Sequence, residues 1–138
     1  MSTAIHASAT LPTQPRTDRG VLVGRILGAV VTLFMLFDAT GKLVREPHVL
    51  AANVELGWPQ GQTIALGVVI LVCTVLYTVR RTSILGALLL TAFLGGATAA
   101  KVRIEDPGFV FSILMGALTW ASLWLREPRL RDLLPLRR

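Results

Sequence analysis

Residues 84–100 carry no charge, and basic residues flank the run: Arg80 and Arg81 before it, Lys101 and Arg103 after it. Apolar positions do not alternate with polar ones, so a helix made from it has no wet face. Gly, Ala and Thr recur along it. Such a run suits either the buried core helix of a soluble domain or a membrane-spanning helix that packs closely on its neighbours. Residues 57–79 are also uncharged, as are 26–37 and 109–125. Charged residues make up only 16% of the chain, against about 25% in a soluble domain, and they gather in short clusters between these stretches. With 53% hydrophobic residues and a mean hydropathy of +0.63, that segregation selects the membrane reading.

We therefore expect one domain and an all-α membrane protein, a four-transmembrane-helix bundle. The expected spans are about 20–42, 62–79, 83–100 and 108–125, within a transmembrane domain of 20–126. Residues 1–19 read as a disordered tail rich in Ala, Thr, Ser and Pro. No small-x-small site follows the first apolar run, so no signal cleavage is expected. Residues 127–138 read as a basic tail. A short interfacial helix is expected over 48–56, ended by Gly57, with Trp58 as a headgroup-level anchor and Tyr77 as an interfacial aromatic. Only residues 80–83 link the second and third spans, which makes these two an antiparallel hairpin.

The net charge of +6 does not indicate a nucleic-acid partner, because the basic residues flank apolar segments and no aromatic stacking platform is interleaved with them. Ten Lys and Arg lie on the side of the termini and four on the other. The positive-inside rule then puts both termini on the cytoplasmic side of what we take to be a bacterial inner membrane. Four crossings return the chain to the side on which it starts.

The first span poses a problem of length. Its charge-free part covers 12 residues, about 18 Å at 1.5 Å per residue, against a hydrocarbon core of about 30 Å. Arg25 can snorkel from the near end on its long stem. Asp38, at the far end, is too short and needs a partner. Lys42 stands four residues on, along the same face. Lys101 and Arg103 end the third span at the same outer level. We expect a polar, net-positive outer pocket in which Asp38 is held between Lys42 and Arg103 or Lys101. Such a pocket would pin the first span to the third, and it suits an anion or the carbonyl oxygens of a quinone-like headgroup.

Two stripes of small residues mark the third span: Ala87, Thr91, Gly95 and Ala99, and one position on, Ala92, Gly96 and Ala100. They are expected to serve helix packing, with Gly95 and Gly96 at the centre. No phosphate loop, HExxH, GxSxG or acidic metal cluster is present in the sequence. Cys73 alone makes neither a disulfide nor a CxxC motif, and His48 reads as a solvated loop residue. Catalytic and metal-ligating residues are therefore expected to be none, and the chain is not expected to be a self-contained enzyme.

The segments FDATGK (37–42), LGW (56–58), LGALLLTAFLGGATAAKVR (85–103) and LTWASLWLREPRLRDLLPLR (118–137) resemble the DoxX-like small membrane proteins. The resemblance implies a four-helix membrane bundle. It also implies an association with quinone-linked redox systems or with redox maturation and biogenesis. Three functions follow as expectations. The first is an accessory subunit of a quinone-linked membrane redox system, with no resident cofactor but quinone as a bound ligand. The second is an assembly or biogenesis factor that binds another membrane protein, or a second copy, through its glycine-rich helix. The third is a small-molecule transporter.

Overall fold

A computed structural model describes residues 18–133, with side chains from 19 to 130. The expected tail over 1–19 lies almost wholly outside the described residues. Six α-helices follow in order: α1 (Asp18–Leu43), α2 (Pro47–Glu55), α3 (Thr63–Thr78), α4 (Ser83–Arg103), α5 (Phe109–Arg126) and α6 (Pro128–Leu133), with a 3-10 turn at Gln60–Gln62 before α3. Four segments are long and apolar enough to cross a membrane: Arg19–Leu43, Gln60–Thr78, Ser83–Arg103 and Phe109–Arg126. These are the four expected spans. The third runs on through Lys101 and Arg103, and a sixth helix starts where a tail was expected.

Consecutive spans pack side by side, and α5 closes the ring against α1, so α1 and α4 lie across the diagonal. The faces that meet mix small and polar residues with a few larger apolar ones. On α1 the buried positions are Gly24, Gly28, Val31, Met35, Ala39 and Lys42, three or four residues apart. On α5 they are Ser112, Met115, Thr119, Ser122 and Leu123. Many large apolar side chains point outward: Leu33 is 67% exposed and Phe37 79%. A water-soluble bundle would reverse this arrangement. In a bilayer the lipid solvates Leu and Phe, and helices associate through small residues and interhelical hydrogen bonds.

Those bonds are present. Trp120 Nε1 donates to Thr91 Oγ1 at 2.7 Å, Ser122 Oγ donates to the Gly24 carbonyl at 2.8 Å, and Tyr77 OH donates to the Thr119 carbonyl at 3.4 Å. Tyr77 was expected at the interface and is instead fully buried. It continues the inward face of α3 that carries Ile70, Cys73 and Thr74. Gly86 of α4 makes this possible: a Cβ there would lie 2.1 Å from the Tyr77 backbone nitrogen, so only glycine lets the α3–α4 hairpin close.

The two hairpin ends on the far side are built alike. Arg45 (φ 59) and Glu105 (φ 57) adopt the left-handed conformation that ends α1 and α4. The next amide donates back into the helix, Glu46 to Gly41 and Asp106 to Lys101, both at 3.0 Å. Glu46 then caps α2 by accepting from the Val49 amide at 2.9 Å, with Pro47 in the first turn. His48 Nδ1 lies 2.7 Å from the other Glu46 oxygen. The bond from His48, then that from the Val49 amide, holds the Glu46 carboxyl below its ordinary range, and Glu46 pushes the His48 imidazole up. The short helix ends at Gly57, whose φ of 89° is readily open only to glycine.

Candidate functional site

The outer half of the bundle contains a cavity of about 310 Å³ that draws on all four spans and on the α2 loop. It lies between α1 and α4, where the diagonal of the bundle leaves space. Phe34, Met35, Phe93, Phe111 and Met115 supply much of its apolar wall. Phe34 and Phe111 meet edge to face with ring centroids 4.8 Å apart, which joins α1 to α5 beside it. Ala92, Gly96, Ala97 and Ala100 line the α4 side, where their small side chains leave the volume open.

The polar groups come from the ends of these elements. Asp38 and Lys42 reach the cavity from the last turns of α1, Lys101 from the end of α4, Ser112 from α5 and Asn53 from α2. Asp38 Oδ1 accepts from Lys42 Nζ at 2.5 Å, one helical turn away. Lys42 is only 8% exposed, so its ammonium depends on that carboxylate. Lys101 is directed to its own turn. Its Nζ donates to the Gly108 carbonyl at 3.4 Å and lies 3.9 Å from Asp106. Asn53 is 5% exposed, and its Nδ2 is buried without a hydrogen-bond partner. A buried amide donor in that state is uncommon. Placed on the cavity wall, it is available to an acceptor.

Of the four expected pocket residues, Asp38, Lys42 and Lys101 share this cavity, and Arg103 does not. Asp38 pairs with Lys42 within α1. The expected ion pair from the first span to the third is not formed, because those two helices are diagonal. Arg103 is exposed on the outside of α4, and its Nη2 donates to the Leu56 carbonyl at 2.8 Å. It thus ties the α2 loop, with Gly57 and Trp58, to the end of α4.

The helix-packing residues also divide. Ala87 is fully buried in the core, and Thr91 takes the Trp120 bond. Gly95 and Gly96 have no atom within 4 Å of a built Cβ, and Ala99 is exposed. The reason is helical geometry. Four residues turn an α-helix about 400°, so a four-residue stripe drifts about 40° per step and about 120° from Ala87 to Ala99. The stripe starts in the core and ends facing outward.

Sequence reasoning did not single out Asn53 or the aromatic and methionine walls. One signal was available: Val49, Asn53 and Leu56 fall on one face of α2, so Asn53 interrupts an otherwise apolar inward stripe. The cavity itself has no local signature, since its wall residues come from five separate segments.

A family model described as the DoxX-like family matches residues 26–122. The chain belongs to the DoxX-like family. The matched span runs from the third turn of α1 to Ser122 of α5, so it takes in every residue named above as lining the cavity. Family membership and the four apolar helices make it an integral membrane protein. No curated protein and no solved structure matches the chain.

Proposed function

We propose that this DoxX-like protein is an accessory subunit of a quinone-linked membrane redox system, and that the cavity between α1 and α4 holds the quinone headgroup. The observation that carries the reading is the pairing of an apolar cavity of about 310 Å³ with the unpartnered Nδ2 of Asn53 on its wall. A quinone ring is flat and apolar with two carbonyl acceptors. The aromatic and methionine walls suit the ring, and the Asn53 amide and the Lys42 ammonium suit the carbonyls. Lipid is the natural source of such a ligand, and the bundle stands in it. Both termini lie on the cytoplasmic side in this reading.

The test is binding of a short-chain ubiquinone analogue to protein purified in mild detergent, followed by quenching of Trp58. Saturable binding is expected, weakened about tenfold or more in Asn53→Leu and Lys42→Met, about the worth of one hydrogen bond to a charged or buried group. Equal binding in the wild type and both variants, or none in the wild type, overturns the reading.

One observation favours a second role. A Cβ built at Gly95 has no atom within 4 Å and Ala99 is exposed, as on a surface that packs on another membrane helix. That role is the assembly factor. A stoichiometric membrane-protein partner, crosslinked at Gly95→Cys from a preparation free of quinone, supports it over the first.

A further inference from the structure

A second cavity lies at the opposite end of the bundle, where both described ends of the chain emerge. It measures about 140 Å³ and is lined by Arg25 of α1, Arg80 of the α3–α4 link and Arg126 at the end of α5, with Ser83 and Glu127 between them. Three arginines from three elements thus line a space the size of one small anionic group. Among the described residues Glu127 is the only acid in the lining. The ion pairs of the described residues lie elsewhere, at Asp38–Lys42, Glu46–His48 and Asp106–Lys101.

Arg126 is held in place by the core. Its guanidinium carbon sits 4.8 Å from the centroid of the buried Tyr77 ring, and its Nη2 donates to the Tyr77 carbonyl at 3.4 Å. Its Nε is buried and has no partner. Ser83 is the first residue of α4, a helix that starts with no side-chain cap. Its free amides add the positive end of a helix dipole to the same place. A planar fork of donors with unused capacity, two further arginines and an uncapped helix start are the kinds of group that bind tetrahedral oxyanions.

We propose that this cavity binds a phosphate-type anion, carried by an anionic phospholipid headgroup or free in solution. Basic pockets between transmembrane helices take such headgroups. The site is separate from the quinone cavity and does not depend on it.

The full chain is reconstituted in phosphatidylcholine nanodiscs with or without phosphatidylglycerol, and retained phosphatidylglycerol is counted by native mass spectrometry. In parallel, the phosphatidylcholine sample is titrated with inorganic phosphate and followed by thermal unfolding. The expected result is one preferentially retained phosphatidylglycerol per chain, or a saturable rise in unfolding temperature with phosphate. Arg25→Gln and Arg80→Gln each weaken that binding about fivefold or more. Arg81→Gln, next in sequence but outside the cavity lining, leaves it unchanged. Retention without a phosphate response identifies a lipid headgroup as the ligand, and the reverse identifies a free anion. Neither response, or an equal loss in Arg81→Gln, overturns the proposal. Arg25 and Arg80 are used because both are exposed, so their replacement leaves the Tyr77 contact and the core intact.

Discussion

Asp38 and Lys42 show how one turn of helix settles an electrostatic problem at membrane depth. The carboxylate cannot reach the surface on a short stem, and Lys42 is 8% exposed. Each ion alone would carry a desolvation penalty of several kcal/mol, and together they offset most of it. Removing one partner therefore does more harm than removing both. Asp38→Ala is expected to lower stability by about 1–3 kcal/mol, below the about 3–5 kcal/mol of a fully buried pair because Asp38 is 30% exposed. Asp38→Ala with Lys42→Met is expected to recover most of the loss. Thermal unfolding in detergent measures both. An Asp38→Ala protein as stable as the wild type would show that the pair contributes nothing.

At the scale of elements, the helices are specified by where small residues fall. Gly86 and Gly95 sit on one helix with opposite surroundings. A methyl group at Gly86 collides with the Tyr77 backbone, whereas one at Gly95 meets nothing. Gly86→Ala is expected to cost about 3 kcal/mol, because a backbone cannot swing aside as a side chain can. Gly95→Ala is expected to be neutral or to stabilise by up to about 1 kcal/mol through helix propensity. Unfolding temperatures in detergent separate the two. A large loss at Gly95 in native membrane but not in detergent would reveal a helix packed against it there.

The whole molecule is electrically polarised. The end bearing the termini has ten basic and three acidic residues, and the far end has four basic and five acidic. Net charges of +7 and −1 follow, a stronger asymmetry than the Lys and Arg count alone. The proposed orientation rests on this distribution. It is checked in a Cys73→Ala background with single cysteines at exposed positions, Arg81→Cys and Glu105→Cys, and a membrane-impermeant maleimide on intact cells. Labelling is expected at Glu105→Cys directly and at Arg81→Cys only after permeabilisation. The opposite pattern reverses the orientation.

Membrane insertion, the number of spans and the hairpin between α3 and α4 were legible in the sequence. They depend on the local density of apolar and charged residues, which the transfer from water to hydrocarbon reads segment by segment. The four-residue spacing of Asp38 and Lys42 was legible as well, since both lie on one helix, but the choice of Lys42 over Lys101 and Arg103 as the partner was not. Beyond that hairpin, the tertiary structure alone decided which helices are neighbours. Putting α1 and α4 on the diagonal removed Arg103 from the expected pocket, opened a cavity between them, and brought Asn53 to its wall. It also drew Tyr77 inward and gathered Arg25, Arg80 and Arg126 at the other end. Such contacts join residues tens of positions apart. Their energy comes from shape, from glycines that let backbones touch and from single interhelical hydrogen bonds, and none of these leaves a mark in the pattern of any one segment.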